Sequence, residues 1–149
     1  MSGFHRDADG DWIADLSCLH SQHVRHRPPF AEAAWIEDER QRQSKIGAPL
    51  DCPLCERTEL PDGLRLERTT PTWDHLSLPA ALLRSHRVAA GVWGLLQVEA
   101  GRLRFVAETE PRLDVVVEAG SSQPIPPDVE HRIEVTGPVR LHLEFLTRR

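Results

Sequence analysis

Hydrophobic positions are spread unevenly along the 149-residue chain. In the C-terminal half, Leu, Val, Ile and Phe gather in short runs at residues 91–98, 103–107, 113–117, 131–135 and 139–146. Their length and richness in Val and Leu predict strands. Turn-forming clusters separate them: Glu99-Ala100-Gly101, Gly120-Ser121-Ser122, Pro126-Pro127-Asp128 and Thr136-Gly137-Pro138. That rhythm is the one expected of an all-β sandwich or barrel. Residues 78–83 read as a short helix or an entry strand.

The N-terminal third is poorer in aliphatic residues. Two short runs, Gly3-Phe4-His5-Arg6 and residues 11–16, flank Asp9-Gly10, a pair suited to a tight hairpin because Gly accepts positive φ. Residues 31–40 have the pattern of a short helix, and Gly47-Ala48-Pro49 breaks the chain after it. This contrast divides the chain into a small module at residues 1–57, a linker at 58–76 containing Pro61, Gly63 and Pro71, and a β module at 77–149. The first module has too little apolar matter for a large core, so it calls for a metal or a similar staple.

The candidate staple is Cys18-Leu19-His20 together with Cys52-Pro53-Leu54-Cys55, which use all three cysteines. Two closely spaced pairs of S and N donors are what a tetrahedral zinc ion takes, and four protein ligands make a closed, structural site. His23 and His26 are alternatives to His20 as fourth ligand, or candidates for a second metal. An odd cysteine count argues against a disulfide framework and for a reducing, cytoplasmic setting. No apolar stretch is long enough to span a membrane, and the N-terminus lacks the pattern of a signal peptide. The net charge of −5 excludes nucleic acid as the expected partner, the one basic cluster being His23 to Arg27.

Two resemblances cover nearly the whole sequence. Gly3-Phe4-His5, Trp12-Ile13-Ala14, Cys18-x-His20, residues 22–26, Pro28-Pro29, Gly47-Ala48-Pro49 and the CPLC knuckle resemble a small bacterial family of uncharacterised, presumed zinc-binding domains. Leu78-Pro79, Leu82-Leu83, His86, Gly91-x-Trp93-Gly94, Gly101-x-Leu103-x-Phe105, Pro126, His131 and Glu144-Phe145 resemble the cupin-like domain of the tellurite-resistance TehB N-terminal and YeaR type. The second resemblance implies a small β-barrel. Gly120, Pro126, Asp128 and His131 follow the second cupin motif, with Asp128 replacing a glycine that a left-handed turn requires. The first motif departs, since Gly94 stands where a metal-binding Glu would be, and His86 is followed by Arg87-Val88-Ala89 instead of a residue, Thr and Lys.

The fold expected is therefore mainly β, a zinc-binding α+β module followed by a cupin-like barrel. His86, His131 and Glu144 are the candidate ligands for a second divalent metal in that barrel, with His142 competing for the carboxylate's place. Tellurite or nitrite stress is the implied setting, a small molecule or oxyanion the implied ligand, and a homodimer the implied assembly. The alternative is a non-enzymatic adaptor or sensor with a docking finger and a degenerate barrel. A third reading makes the thiolates a metal or tellurite sink.

Overall fold

The computed structural model describes residues 1–24, 35–48, 52–109 and 111–148. The chain divides into two compact units, Met1–Cys52 and Pro53–Arg149. Among the described residues no helix is long and apolar enough to cross a membrane.

The first unit begins with the hairpin that Asp9-Gly10 predicts. Strands β1 (Gly3–Arg6) and β2 (Trp12–Asp15) pair antiparallel, and β3 (Ser21–His23) adds on the other side of β2. Gly10 takes φ +84°, and Asp7 Oδ1 accepts from the N–H groups of Asp9 and Asp11, both at 2.9 Å. The side chain thus closes the turn that the glycine permits. Helix α1 (Glu39–Lys45) starts where Asp38 caps the N–H of Gln41 at 3.0 Å. This differs from the helix expected over residues 31–40, of which 31–34 lie outside the described residues. Asp38 is the stronger N-cap, and Ile36 just before it is wholly buried, which leaves the helix to run on beyond residue 40. Arg6 and Arg42 place their guanidinium carbons 4.5 Å and 4.0 Å from the centre of the Trp12 ring, clamping the hairpin's broad apolar face between two cations.

The second unit opens with α2 (Pro53–Glu56), a single turn begun by proline at the position where a missing N–H costs least. It ends with Thr58 N–H bonded to Cys55 O and Glu59 N–H to Leu54 O, a closing pattern that puts Thr58 at φ +52°. Thr58 is buried, and its hydroxyl accepts a hydrogen bond from Gln123 Nε2 at 3.1 Å. Two strands follow in the stretch read from sequence as a linker: β4 (Arg65–Thr69) and β5 (Trp73–Asp74), both paired with the last strand of the chain. The stretch at 78–83 resolves into a 3₁₀ turn, Ala80–Leu83.

The sheet is organised by β6 (Trp93–Ala107), 15 residues long. The expected break at Glu99-Ala100-Gly101 does not end the strand. Gly101 adopts φ +73° and lets β6 bend while the ladder continues, with a register shift opposite Arg140 and Leu141. The first half of β6 pairs with β10 (Val139–Thr147) and β8 (Ser122–Ile125), the second half with β7 (Leu113–Glu118) and β9 (His131–Glu134). The main path runs β4-β10-β6-β7. The predominance of β structure agrees with expectation, but the sheet is not closed into a barrel, because its two ends, β4 and β7, do not pair. Leu96, Val98, Leu103, Phe105, Leu141 and Leu143 from both halves of β6 and from β10 form the centre of one apolar cluster.

Candidate functional site

The first candidate site lies at the turn between β2 and β3. Leu16 N–H bonds to His20 O at 3.0 Å and Leu19 N–H to Leu16 O at 2.9 Å, a loop closed only because Leu19 takes φ +72°. A non-glycine residue in the left-handed region is strained, and such strain persists where the surroundings impose it. Here it turns Cys18 and His20 to one side. The ligand atoms of Cys18, His20, Cys52 and Cys55 lie within 4.8 Å of one another, His20 is buried, and no disulfide links the thiols. His20 Nδ1 is 3.4 Å from Cys52 Sγ. Bond lengths to zinc of about 2.0 Å for nitrogen and 2.3 Å for sulfur at the tetrahedral angle require an edge of about 3.5 Å. The donor set and its spacing fit zinc. His23 lies apart from the cluster, 3.9 Å from Asp7 and grouped with Asp7 and Asp11. His26 lies outside the described residues.

The second candidate site belongs to the second unit. His86 and His131 exchange backbone hydrogen bonds, 3.0 Å and 2.9 Å, in an isolated antiparallel bridge. Paired residues of such a bridge project to the same face, and the two imidazoles stand with ring centres 4.2 Å apart. Asp128, at φ +57°, donates its N–H to Val88 O, while Arg87 pairs with Asp128 and Glu130, lacing the His86 segment to the loop that precedes His131. Asp128 thus adopts the left-handed turn expected of it in place of glycine. His86 Nδ1 lies 2.9 Å from Arg84 O, and His131 Nδ1 lies 3.0 Å from Val129 O. A carbonyl only accepts, so each Nδ1 carries the hydrogen and donates it, and Nε2 is the atom left for a ligand. Burial holds the His131 imidazole at a pKa of about 4, below its usual 6.5, with the Val129 carbonyl opposing that shift and neighbouring His86 adding to it.

Both rings face a cavity of about 480 Å³. Its apolar walls include Leu82, Val88, Val92, Ile125, Leu143 and Phe145, and its charged residues are Glu67, Arg68 and Arg87. The Arg68 guanidinium carbon sits 4.6 Å from the centre of the Phe145 ring. Leu143 and Phe145 were not singled out from sequence as site residues, although their alternation along β10 carries the signal. Arg68 lies in the stretch read as a linker, where nothing pointed to a site.

The same alternation places Glu144 away from the cavity, on the face of β10 opposite to Leu143 and Phe145. There it accepts from Gln97 Nε2 at 3.3 Å and lies 3.5 Å from His142 Nε2. His142 is engaged on its other side by Glu99 Oε2 at 3.2 Å, and the hydrogen bond from His142, ahead of that from Thr72, lowers the Glu99 pKa. Of the three expected barrel ligands, the structure brings His86 and His131 together and leaves Glu144 elsewhere. Among the described residues no third Cys, His, Asp or Glu ligand atom gathers with the two imidazoles. Two nitrogens alone do not fit the three-ligand set of an open metal site.

Residues 68–143 match the model of the TehB-like domain family, and residues 2–59 match that of a protein of unknown function (DUF3565). Among solved structures, a structural-genomics target from E. coli is 23% identical, covering 61% of this chain and 97% of its own at a TM-score of 0.55. TehB from Haemophilus influenzae is 25% identical at a TM-score of 0.52, over 58% of this chain. The match spans 32% of the TehB chain, about a third of that protein. No curated protein matches this sequence.

Proposed function

Since the chain belongs to the TehB-like domain family, we propose that its second unit is a receptor for a small molecule met in tellurite or a related chemical stress. The first module is a zinc-stabilised finger joined to it. The observation that carries this reading is the pair of imidazoles, each with Nδ1 tied to a carbonyl, facing an apolar cavity of about 480 Å³. Cavities of roughly 300–1,000 Å³, mostly apolar with a few placed polar groups, are the usual form of small-molecule sites. The zinc supplies cross-linking of the finger, while the cavity binds without a metal of its own.

Elemental analysis and ligand titration test both halves. Protein purified without added metal is expected to hold one zinc per chain, lost in Cys52→Ser/Cys55→Ser and kept in His86→Ala/His131→Ala. A second metal lost with the histidines would overturn the metal-free cavity. In amide NMR, a library of small fragments is expected to shift resonances of Leu82, His86, Ile125 and Leu143, and Leu143→Trp is expected to abolish those shifts. Shifts elsewhere only, or none, would overturn the receptor reading.

A further inference from the structure

The cavity's chemistry narrows what it accepts, an inference that rests on the receptor reading above. Three features bear on the ligand. The first is size: about 480 Å³ is the scale of an organic ring system with substituents, and a bare inorganic oxyanion fills only a small part of it. The second is the lining, mostly aliphatic or aromatic side chains, which reward apolar surface and penalise an ion stripped of water.

The third is the polarity of the floor. His86 and His131 spend their Nδ1–H groups on the carbonyls of Arg84 and Val129. In the neutral ring that burial enforces on His131, Nε2 presents a lone pair. A deprotonated oxyanion has only lone pairs and finds no donor at the His131 Nε2. Arg87 is engaged by Asp128 and Glu130. Arg68 lies over Phe145, where it covers an aromatic wall. A hydroxyl group is the complement of the floor, because it donates to Nε2 without carrying a charge into the apolar site.

We infer that the cavity binds an uncharged, hydroxyl-bearing organic molecule of phenol-like chemistry, its hydroxyl donating to His131 Nε2 beside the His86 ring and its apolar body lying against Ile125, Leu143 and Phe145. No bond is made or broken in this step. The hydroxyl exchanges a hydrogen bond with water for one with Nε2, and the gain comes from burying the ring.

Phenol, its methyl ether anisole, and sodium tellurite serve as probes, titrated into the intact protein and followed by amide NMR at the cavity residues. Phenol is expected to bind about tenfold more tightly than anisole, the size of one hydrogen bond. In His131→Phe, which keeps an aromatic ring at the floor and removes the accepting Nε2, that preference is expected to fall towards unity with anisole binding retained. The wild-type ratio stands as a test even if the variant fails to fold. Equal binding of phenol and anisole would overturn the hydroxyl assignment and leave the receptor reading intact. Tellurite binding at these residues with neither organic probe bound would overturn the organic class. Binding of none of the three would count against the receptor reading as well.

Discussion

His131 is the residue where structure and chemistry are most tightly coupled. It is 4% exposed, its Nδ1–H is held by Val129, and Phe105 stands 5.8 Å from its ring. The charged form is therefore disfavoured in the fold and free to form in the unfolded chain. Its pKa is about 4 in the fold against 6.5 for the ordinary group, so the contribution to stability is whole above pH 6.5. It is lost as pH falls from 6.5 towards 4, because the unfolded state takes up the proton first. Each pH unit in that window is worth about 1.4 kcal/mol, a total of about 3 kcal/mol. Urea unfolding between pH 7 and 4 is expected to show this slope, and His131→Phe is expected to lose it; matching slopes in the two proteins would refute the assignment. Legibility at this scale followed local chemistry. The Cys18, His20, Cys52 and Cys55 set was readable from residue type and spacing, and Asp128 in a left-handed turn from the glycine position it fills in the resembled motif. Glu144 was misplaced because two imidazoles and one carboxylate suit a metal and the resembled family's pattern includes it. Counting by twos from Leu141 and Leu143, both core residues, shows that it points the other way.

Strand boundaries were less legible, and β6 shows why. Glu99-Ala100-Gly101 has the composition of a turn, yet the chain passes through it as a bend in one strand, since long-range pairing with β10 outweighs local preference. Strand β4 escaped notice for another reason: all five of its residues are exposed, so no burial alternation marks it, and Leu66 at 57% exposure looks like a loop residue. The rhythm of strands and turns fits a sandwich and a barrel alike, so the choice of a closed barrel came from the resemblance. The bend itself is testable. A Cβ on Gly101 would lie 2.1 Å from the carbonyl oxygen of Pro138, besides the strain of φ +73°, whereas Gly120 at φ +84° has open space around it. Gly120→Ala is expected to cost about 1 kcal/mol from backbone strain alone. Gly101→Ala is expected to cost at least about 3 kcal/mol, because strand β6 must shift against the turn before β10. Thermal unfolding followed by circular dichroism separates them, and equal losses would show that the bend yields without cost.

At the scale of the whole molecule, the two units differ in what holds them. Among the described residues, the buried hydrophobic side chains of the first unit are Ile13, Ala14, Leu16 and Ile36, and its strands are three or four residues long. Neither the short sheet nor α1, which buries no side chain, supplies enough apolar area to offset the entropy of ordering the chain. On the reading proposed above, zinc binding fills that gap, because a site absent from the unfolded chain makes the binding free energy part of the folding free energy. The second unit carries a core of its own around β6 and β10, with no need of a metal to bring its strands together. Removing zinc with a strong chelator under reducing conditions is therefore expected to act on one unit. Hydrogen exchange should show amide protection lost at Ile13, Ala14 and Val24, and kept at Leu96, Leu141 and Leu143. Protection lost throughout would mean that the second core depends on the finger. Protection kept throughout would mean that the four ligand residues hold the turn between β2 and β3 without a metal, and that the strain at Leu19 is imposed by packing alone.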